Sequence, residues 1–282
     1  MSTVLVTGAT GGIGLETARV LASLGHDVVL HGRDARKGEL AVAQVRAEAR
    51  GSVSFVRADF SSLAEVRRLA AELNASVPRL DILVNNAGCA QFSRTQTVDG
   101  YETTFAVNHL APFLLTNLLL EKIRNSAPAR IVNVASRAHR YQSIDFDDLM
   151  STEDYKVMRT YGRSKLANIL FTRSLAERLR DTGVTANCLH PGVVATGLGQ
   201  NNGFARVVGW IVMHLVGISI PQGARTSIYL ATSPEVAGTS GVYFSDCRPA
   251  SLLTSPEAVS EQACERLWTQ SECLVGLPCS SR

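Results

Sequence analysis

Short runs of β-branched and aliphatic residues recur along the chain at 3–7, 27–31, 53–57, 80–84, 129–135 and 184–189. Each is too short for a helix, and the first is apolar at consecutive rather than alternate positions. That is the pattern of a strand buried on both faces of a parallel sheet. Between the runs lie longer stretches in which apolar residues return at helical spacing. The first follows residue 14 and carries Leu15, Ala18, Leu21 and Ala22. Others cover 34–50, 61–74, most of the region up to 125, and 155–180. Residues 224–230 continue a helix, 241–244 read as a last strand, and 257–274 as a terminal helix with Leu267 and Trp268 as packing residues. Strands that alternate with helices predict an α/β fold with one parallel sheet. No internal repeat or low-complexity tract interrupts the pattern. It reads as one domain over 1–282, with an insertion around 197–222 and a C-terminal helix around 255–276.

Composition narrows the picture. A chain of 282 residues that is 45% hydrophobic and 19% charged can bury a large core. The net charge is +3 without a Lys/Arg block, which speaks against a nucleic-acid face. Cys89, Cys188, Cys247, Cys264, Cys273 and Cys279 form no C-x-x-C pair and no His/Cys cluster of zinc spacing. No metal site is expected, and most of these thiols are expected buried and reduced, with Cys279 exposed near the terminus. The first strand begins almost at once, so no signal peptide is expected. The apolar run 207–220 is shorter than the ~20 residues that span a bilayer. A cytoplasmic protein is expected. The run itself is open between a core helix, a weak membrane contact and a substrate lid, and lids favour this place beyond the sheet edge.

The candidate chemistry starts in the first turn. Thr7-Gly8-Ala9-Thr10-Gly11-Gly12-Ile13-Gly14 joins a strand to a helix. In that context it predicts a dinucleotide site: a sharp bend at Gly8, close approach of a pyrophosphate at Gly12 and tight helix packing at Gly14. Helix-start N–H groups then face the phosphates. NAD sites usually end the second strand in an acid that binds the ribose hydroxyls. Here Gly32 and Arg33 stand there, with Lys37 a turn further on. That combination suits a 2′-phosphate and predicts NADP(H) over NAD(H). Asp34 reads as a helix cap. Asp59 follows the third strand and is open between accepting from adenine and capping the next helix, with Ser61 and Ser62 as rival caps. Asn85-Asn86-Ala87-Gly88 ends the fourth strand in small polar residues. Asn108 is unusual inside a helix. Ser136 lies just past the fifth strand, and His139 in the polar connection after it reads as exposed and without a role. Tyr161 and Lys165 are four apart on one helix face. A phenol titrates near ~10, and an adjacent ammonium lowers that value, as neutral-pH acid–base work requires.

Taken in order, these motifs resemble the short-chain dehydrogenase/reductase family over nearly the whole chain. The set is Thr7-Gly8-x-x-x-Gly12-x-Gly14, Asp59, Asn85-Asn86-Ala87-Gly88, Asn108, Ser136, Tyr161-x-x-x-Lys165, and Pro191-Gly192 with Val194 and Thr196. Gly32-Arg33-Asp34, Lys37-Gly38-Glu39, Ser136-Arg137-Ala138-His139, residues 144–149 and the tail 267–277 resemble its retinol-dehydrogenase-like branch. No membrane anchor and no WW module are expected. The resemblance implies a Rossmann-type doubly wound sheet of about seven parallel strands with helices on both faces. It implies that Tyr161 exchanges a proton with the substrate oxygen, that Lys165 lowers its pKa and binds the nicotinamide ribose, that Ser136 donates to the substrate oxygen, and that Asn108 holds a relay water. Cofactor contacts are implied at Gly8, Thr10, Gly11, Gly12, Ile13, Gly14, Arg33, Lys37, Asp59, Phe60, Asn86, Ala87, Gly88, Tyr161, Lys165, Pro191, Gly192, Val194 and Thr196. The expected activity is NADP(H)-dependent interconversion of an alcohol and an aldehyde or ketone on an apolar substrate. Two alternatives stay open: an NADP(H)-binding sensor or scaffold that does not catalyse, and a reductase of steroid, polyketide or xenobiotic carbonyls. The helices over 100–124 and 155–180 are the family's usual dimer faces, so a homodimer or homotetramer is expected by analogy.

Overall fold

The computed structural model describes residues 1–192, 218–254, 256 and 259–279. In chain order the elements are β1 (Thr3–Val6), α1 (Gly12–Ser23), β2 (Asp27–Gly32), α2 (Ala35–Arg46), β3 (Val53–Arg57), α3 (Leu63–Ser76), β4 (Ile82–Asn85), α4 (Thr103–Asn125), β5 (Ala129–Val134), α5 (Val157–Arg178), β6 (Val184–His190), α6 (Ile220–Thr232), β7 (Tyr243–Ser245), β8 (Arg248–Pro249) and α7 (Glu261–Val275). The strands form one sheet in the order β3-β2-β1-β4-β5-β6-β7-β8. β1 to β7 run parallel, and β8 pairs antiparallel with β7. The two-residue β8 is an addition to the expected seven strands.

Successive residues of a strand point to opposite faces, so each apolar run feeds two cores. Val4 and Val6 of β1 pack with Leu21, Leu30 and Leu230 on one face. Leu5 between them packs with Leu69, Leu114 and Phe113 on the other. Helices α1, α2 and α6 cover the first face and α3, α4 and α5 the second. The order of strands reverses between β1 and β4, which opens a crevice at their carboxyl ends.

Two departures from the expected pattern shape the site. Helix α4 widens to a π turn over Ala106–Leu110, where Asn108 sits. Pro112 follows four residues later and has no N–H to give the Asn108 carbonyl, so the regular ladder fails there. Helix α7 lies across α4 and α5. Trp268 packs its ring 5.0 Å from Phe113 and 5.8 Å from Phe171, and donates from Nε1 to Glu272 at 2.7 Å. Such aromatic pairs add ~0.5–1.5 kcal/mol each beyond area burial. By that packing α7 occupies part of the helix faces on which self-association is expected.

Among the described residues α4 alone is long and apolar enough to cross a membrane, and 72% of its apolar window is buried within the fold. Cys273 and Cys279 are disulfide-bonded, contrary to the expectation of free thiols, while Cys188 and Cys264 are buried and free. The expected insertion 197–222 ends earlier than its pattern suggests: α6 starts at Ile220, capped by Ser219 and Gln222 in a reciprocal box. Most of that segment, including the apolar run up to 217, lies outside the described residues.

Burial inside this frame pushes His31, His109 and His190 each down to about 4. A folded-state pKa below the unfolded value means that these rings contribute stability above pH ~6.5 and lose it as pH falls toward 4. Each ring then costs roughly 2 kcal/mol by pH 5. Glu102, buried and held above the carboxylate range, opposes the trend, since its protonation favours the fold. The net expectation is a melting temperature about ten degrees lower at pH 5 than at pH 7. Calorimetry checks it, and a flat profile over that interval would show that the rings are solvated.

Candidate active site

The turn from β1 into α1 has no side-chain cap. Gly11 stands at the N-cap, and the first helical turn holds no acid. The helix-start N–H groups are thus left without a side-chain acceptor, as an anion site requires. They line a cleft of about 750 Å³ at the crevice between β1 and β4, a volume within the range of cofactor sites. Gly8, Thr10, Gly11, Gly12, Ile13, Gly14, Arg33, Lys37, Asp59, Phe60, Asn86, Ala87, Gly88, Tyr161, Lys165 and Pro191 all line it. Gly192 stands just beyond at φ 91°, and a Cβ there would lie 2.3 Å from Ile218 Cδ1. Val194 and Thr196 lie outside the described residues.

One end of the cleft is basic. Arg33 and Lys37 are exposed on its wall. Asp34 caps α2 by accepting from the Lys37 N–H at 3.0 Å. At position 32 no acid fits: even a Cβ added to Gly32 would lie 2.4 Å from Thr10 Cγ2. Asp59 lines the cleft, but one of its carboxylate oxygens accepts from the Ser61 N–H and hydroxyl at 2.9 and 2.8 Å. Ser62, not Asp59 or Ser61, caps α3. Local side-chain-to-backbone bonding thus decides which residue caps α3.

The other end holds the acid–base groups. Tyr161 and Lys165 stand on one face of α5, with Lys165 Nζ 5.7 Å from the phenol ring centroid. Helix α5 begins at Val157, two residues later than expected, with Lys156 at its N-cap. The Lys165 ammonium is buried and donates to the Val134 carbonyl at 3.0 Å. Burial brings it down to about 8. The Tyr161 phenol departs from expectation. Burial pushes it above its ordinary value, a hydrogen bond with Ser136 pulls the other way, and Cys89 adds to the rise. Desolvation of the charged form sets the direction here, against the pull of Ser136.

Ser136 caps the single turn Arg137–His139, its Oγ accepting from Ala138 N–H at 3.2 Å. It is the cap residue that a lone Ser there suggests, and its hydroxyl also favours the charged form of Tyr161. Asn108 is fully buried behind the cleft. Its Oδ1 accepts from Cys89 N–H at 2.7 Å, and its Nδ2 donates to the Cys89 carbonyl and to Ser164 Oγ, both at 2.9 Å. Both amide hydrogens are thereby used, which leaves one lone pair on Oδ1. A Cβ at Gly88 would lie 3.1 Å from Asn108 Oδ1 and 3.3 Å from Lys165 Nζ, so a bare glycine lets the backbone pass close to both polar tips.

Two residues of this region escape the sequence pattern. His31 lines the cleft, stacked on Phe60 at 4.3 Å. Its Nδ1 accepts from Gly8 N–H at 3.4 Å and its Nε2 faces the Ala58 carbonyl at 3.0 Å. A neutral ring protonated at Nε2 satisfies both contacts and pins the glycine turn to the end of β3. His139, expected exposed, is completely buried.

The short chain dehydrogenase family pattern matches residues 2–205. The chain is 45% identical over 296 residues to retinol dehydrogenase 14 of Homo sapiens, across 98% of this chain and 86% of that protein. An uncharacterised protein of Mycobacterium paratuberculosis shares 32% identity and superposes with a TM-score of 0.79 over 100% of this chain and 96% of that chain. The RhlG–NADP active-site complex of Pseudomonas aeruginosa shares 28% identity at a TM-score of 0.69, over 86% of this chain and 94% of that one.

Proposed function

The chain belongs to the short-chain dehydrogenase family, in its retinol-dehydrogenase-like branch, and from that premise we propose that it is an NADP(H)-dependent oxidoreductase interconverting an alcohol and an aldehyde or ketone on an apolar substrate, with Tyr161 as acid and base. One observation carries the reading: a single cleft runs from the uncapped start of α1, past Arg33 and Lys37, to Tyr161 and Lys165. The bound cofactor supplies the hydride; the protein supplies position and field. Gly12, Ile13 and Gly14 would hold the pyrophosphate by backbone N–H groups. Arg33 would meet the 2′-phosphate, where Gly32 keeps a repelling carboxylate away.

In reduction, Tyr161 gives its proton to the carbonyl oxygen, and in oxidation it takes one from the alcohol. Ser136, whose hydroxyl favours the charged form of that phenol, donates to the same oxygen and stabilises its developing charge. Lys165, mostly an ammonium at pH 7, offsets the phenolate left behind and is held at depth by the Val134 carbonyl. Asn108 fixes Cys89 and, through it, the backbone beside Lys165. The branch and the apolar stretch at 207–220 support a hydrophobic substrate. The test mixes the protein with NADPH and a panel of long-chain aldehydes and ketones and follows cofactor absorbance. Tight NADPH binding without turnover of any of them would support the non-catalytic sensor instead.

The cofactor assignment carries its own expectation. Arg33→Ala should weaken NADPH binding about 10- to 100-fold, the worth of one charge-assisted contact to phosphate. NADH, lacking that phosphate, should bind nearly as before. Fluorescence titration of both cofactors decides it, and equal losses would remove Arg33 from the 2′-phosphate.

A further inference from the structure

His139 sits in a geometry that a neutral imidazole cannot satisfy. Its Nδ1 is 2.5 Å from the Ser136 carbonyl oxygen and its Nε2 is 2.6 Å from the Leu252 carbonyl oxygen. Carbonyl oxygens only accept, and a neutral ring has one N–H and one lone pair. A neutral His139 would therefore aim a lone pair at an oxygen in a site without solvent. The imidazolium has a donor for each.

The two carbonyls belong to the two jaws of one structure. One jaw is the turn after β5. It is pressed onto α5 at Gly162, where an added Cβ would lie 2.4 Å from the Ala138 carbonyl oxygen. It is also tied to β6 by Arg137 N–H donating to His190 Nδ1 at 3.2 Å. The other jaw is the segment after β8. Tyr141 N–H donates to the Leu253 carbonyl at 3.2 Å, and Thr254 Oγ1 donates to the Gln142 carbonyl at 2.8 Å. His139 joins the jaws at the end nearest Ser136, with its ring edge-on to Tyr243 at 5.0 Å.

We propose that His139 is a positioning residue for Ser136: doubly protonated, it fastens the Ser136 carbonyl to Leu252 and so fixes the direction of the Ser136 hydroxyl at Tyr161. This rests on the reading above in which Ser136 serves the substrate oxygen. Among the described residues the titratable and charged groups around the ring are Arg137 and Arg140 on its own turn, His190 and Cys188 of β6, Tyr243 of β7 and Tyr161 of α5 beyond Ser136. Those guanidiniums disfavour the extra charge, so the two carbonyls are what hold it.

Nitrogen-15 spectra of the histidine-labelled full chain, with ring signals assigned by through-bond correlation, read the protonation state directly. Both His139 nitrogens should be protonated at pH 7, and one bare nitrogen there overturns the proposal. Kinetics supply the second arm. His139→Gln should lower kcat about 10- to 100-fold, the cost of a misplaced catalytic group, with NADPH affinity unchanged. Because His139 acts through Ser136, the double variant with Ser136→Ala should be no slower than Ser136→Ala alone. A slow Ser136→Ala beside a His139→Gln as fast as wild type overturns the inference and leaves the functional reading standing. A Ser136→Ala as fast as wild type overturns both. If His139→Gln does not fold, the wild-type ring nitrogens decide alone.

Discussion

Replacing Tyr161 with Phe is expected to lower kcat/KM for carbonyl reduction by about 10²–10⁴-fold, the usual worth of a positioned acid or base. The substitution removes one oxygen and little else. The ring keeps its place on α5 below Lys165, whose ammonium bonds the Val134 carbonyl rather than the phenol. NADPH affinity should therefore change far less than the rate. Burial holds the phenol above its ordinary value, so it carries its proton throughout neutral pH. Reduction, which spends that proton, should be flat near pH 7 and fall only in alkali. Oxidation needs the deprotonated phenol and should rise with pH over the same range. Tyr161→Phe should abolish both dependences. Initial rates in each direction between pH 6 and 10 check this, and a variant as fast as wild type would strip Tyr161 of its role.

The parts of this site that the sequence discloses are those set by local spacing. Residues four apart on a helix share a face whatever surrounds them, so Tyr161 and Lys165 could be paired from the chain alone. A strand buried on both sides is apolar at consecutive positions, which is why β1 was legible nearly residue by residue; the edge strand β3, with Ser54 and Arg57 exposed, shows that pattern only in part. Long-range contact leaves no such trace. His139 reads as exposed because its neighbours in sequence are charged, while its burial depends on Leu252 far along the chain. β8 is two residues long and has no period to detect. The direction of the Tyr161 shift depends on desolvation, which no spacing reports. The π turn at Asn108 lies between these cases: a proline four residues after a polar residue within a helix is a signal of a broken ladder, and Pro112 carries it in plain sight.

Gly14→Ala is expected to weaken NADPH binding at least about 100-fold, a loss of roughly 2.7 kcal/mol. The reason is steric and can be placed atom by atom. A methyl on Gly14 would lie 2.4 Å from the Gly8 carbonyl oxygen and 2.4 Å from Asn86 Nδ2. Neither neighbour is the free end of a flexible side chain. Gly8 is backbone in the left-handed region at φ 65°, and Asn86 Nδ2 donates to the Thr7 carbonyl at 2.8 Å. To admit the methyl, the turn must open and α1 must lift from the end of β1. The N–H groups that Gly12 and Ile13 offer the pyrophosphate then move with it. Overpacking of this kind costs ~1–3 kcal/mol of fold stability, so the melting temperature should drop by several degrees. Gly11→Ala is the control for stability. Its backbone is extended at φ 178°, and an added Cβ meets nothing within 4 Å. It should melt as the wild type does. Should Gly14→Ala bind NADPH as tightly as wild type, the phosphates lie elsewhere, and the turn between β1 and α1 serves packing alone.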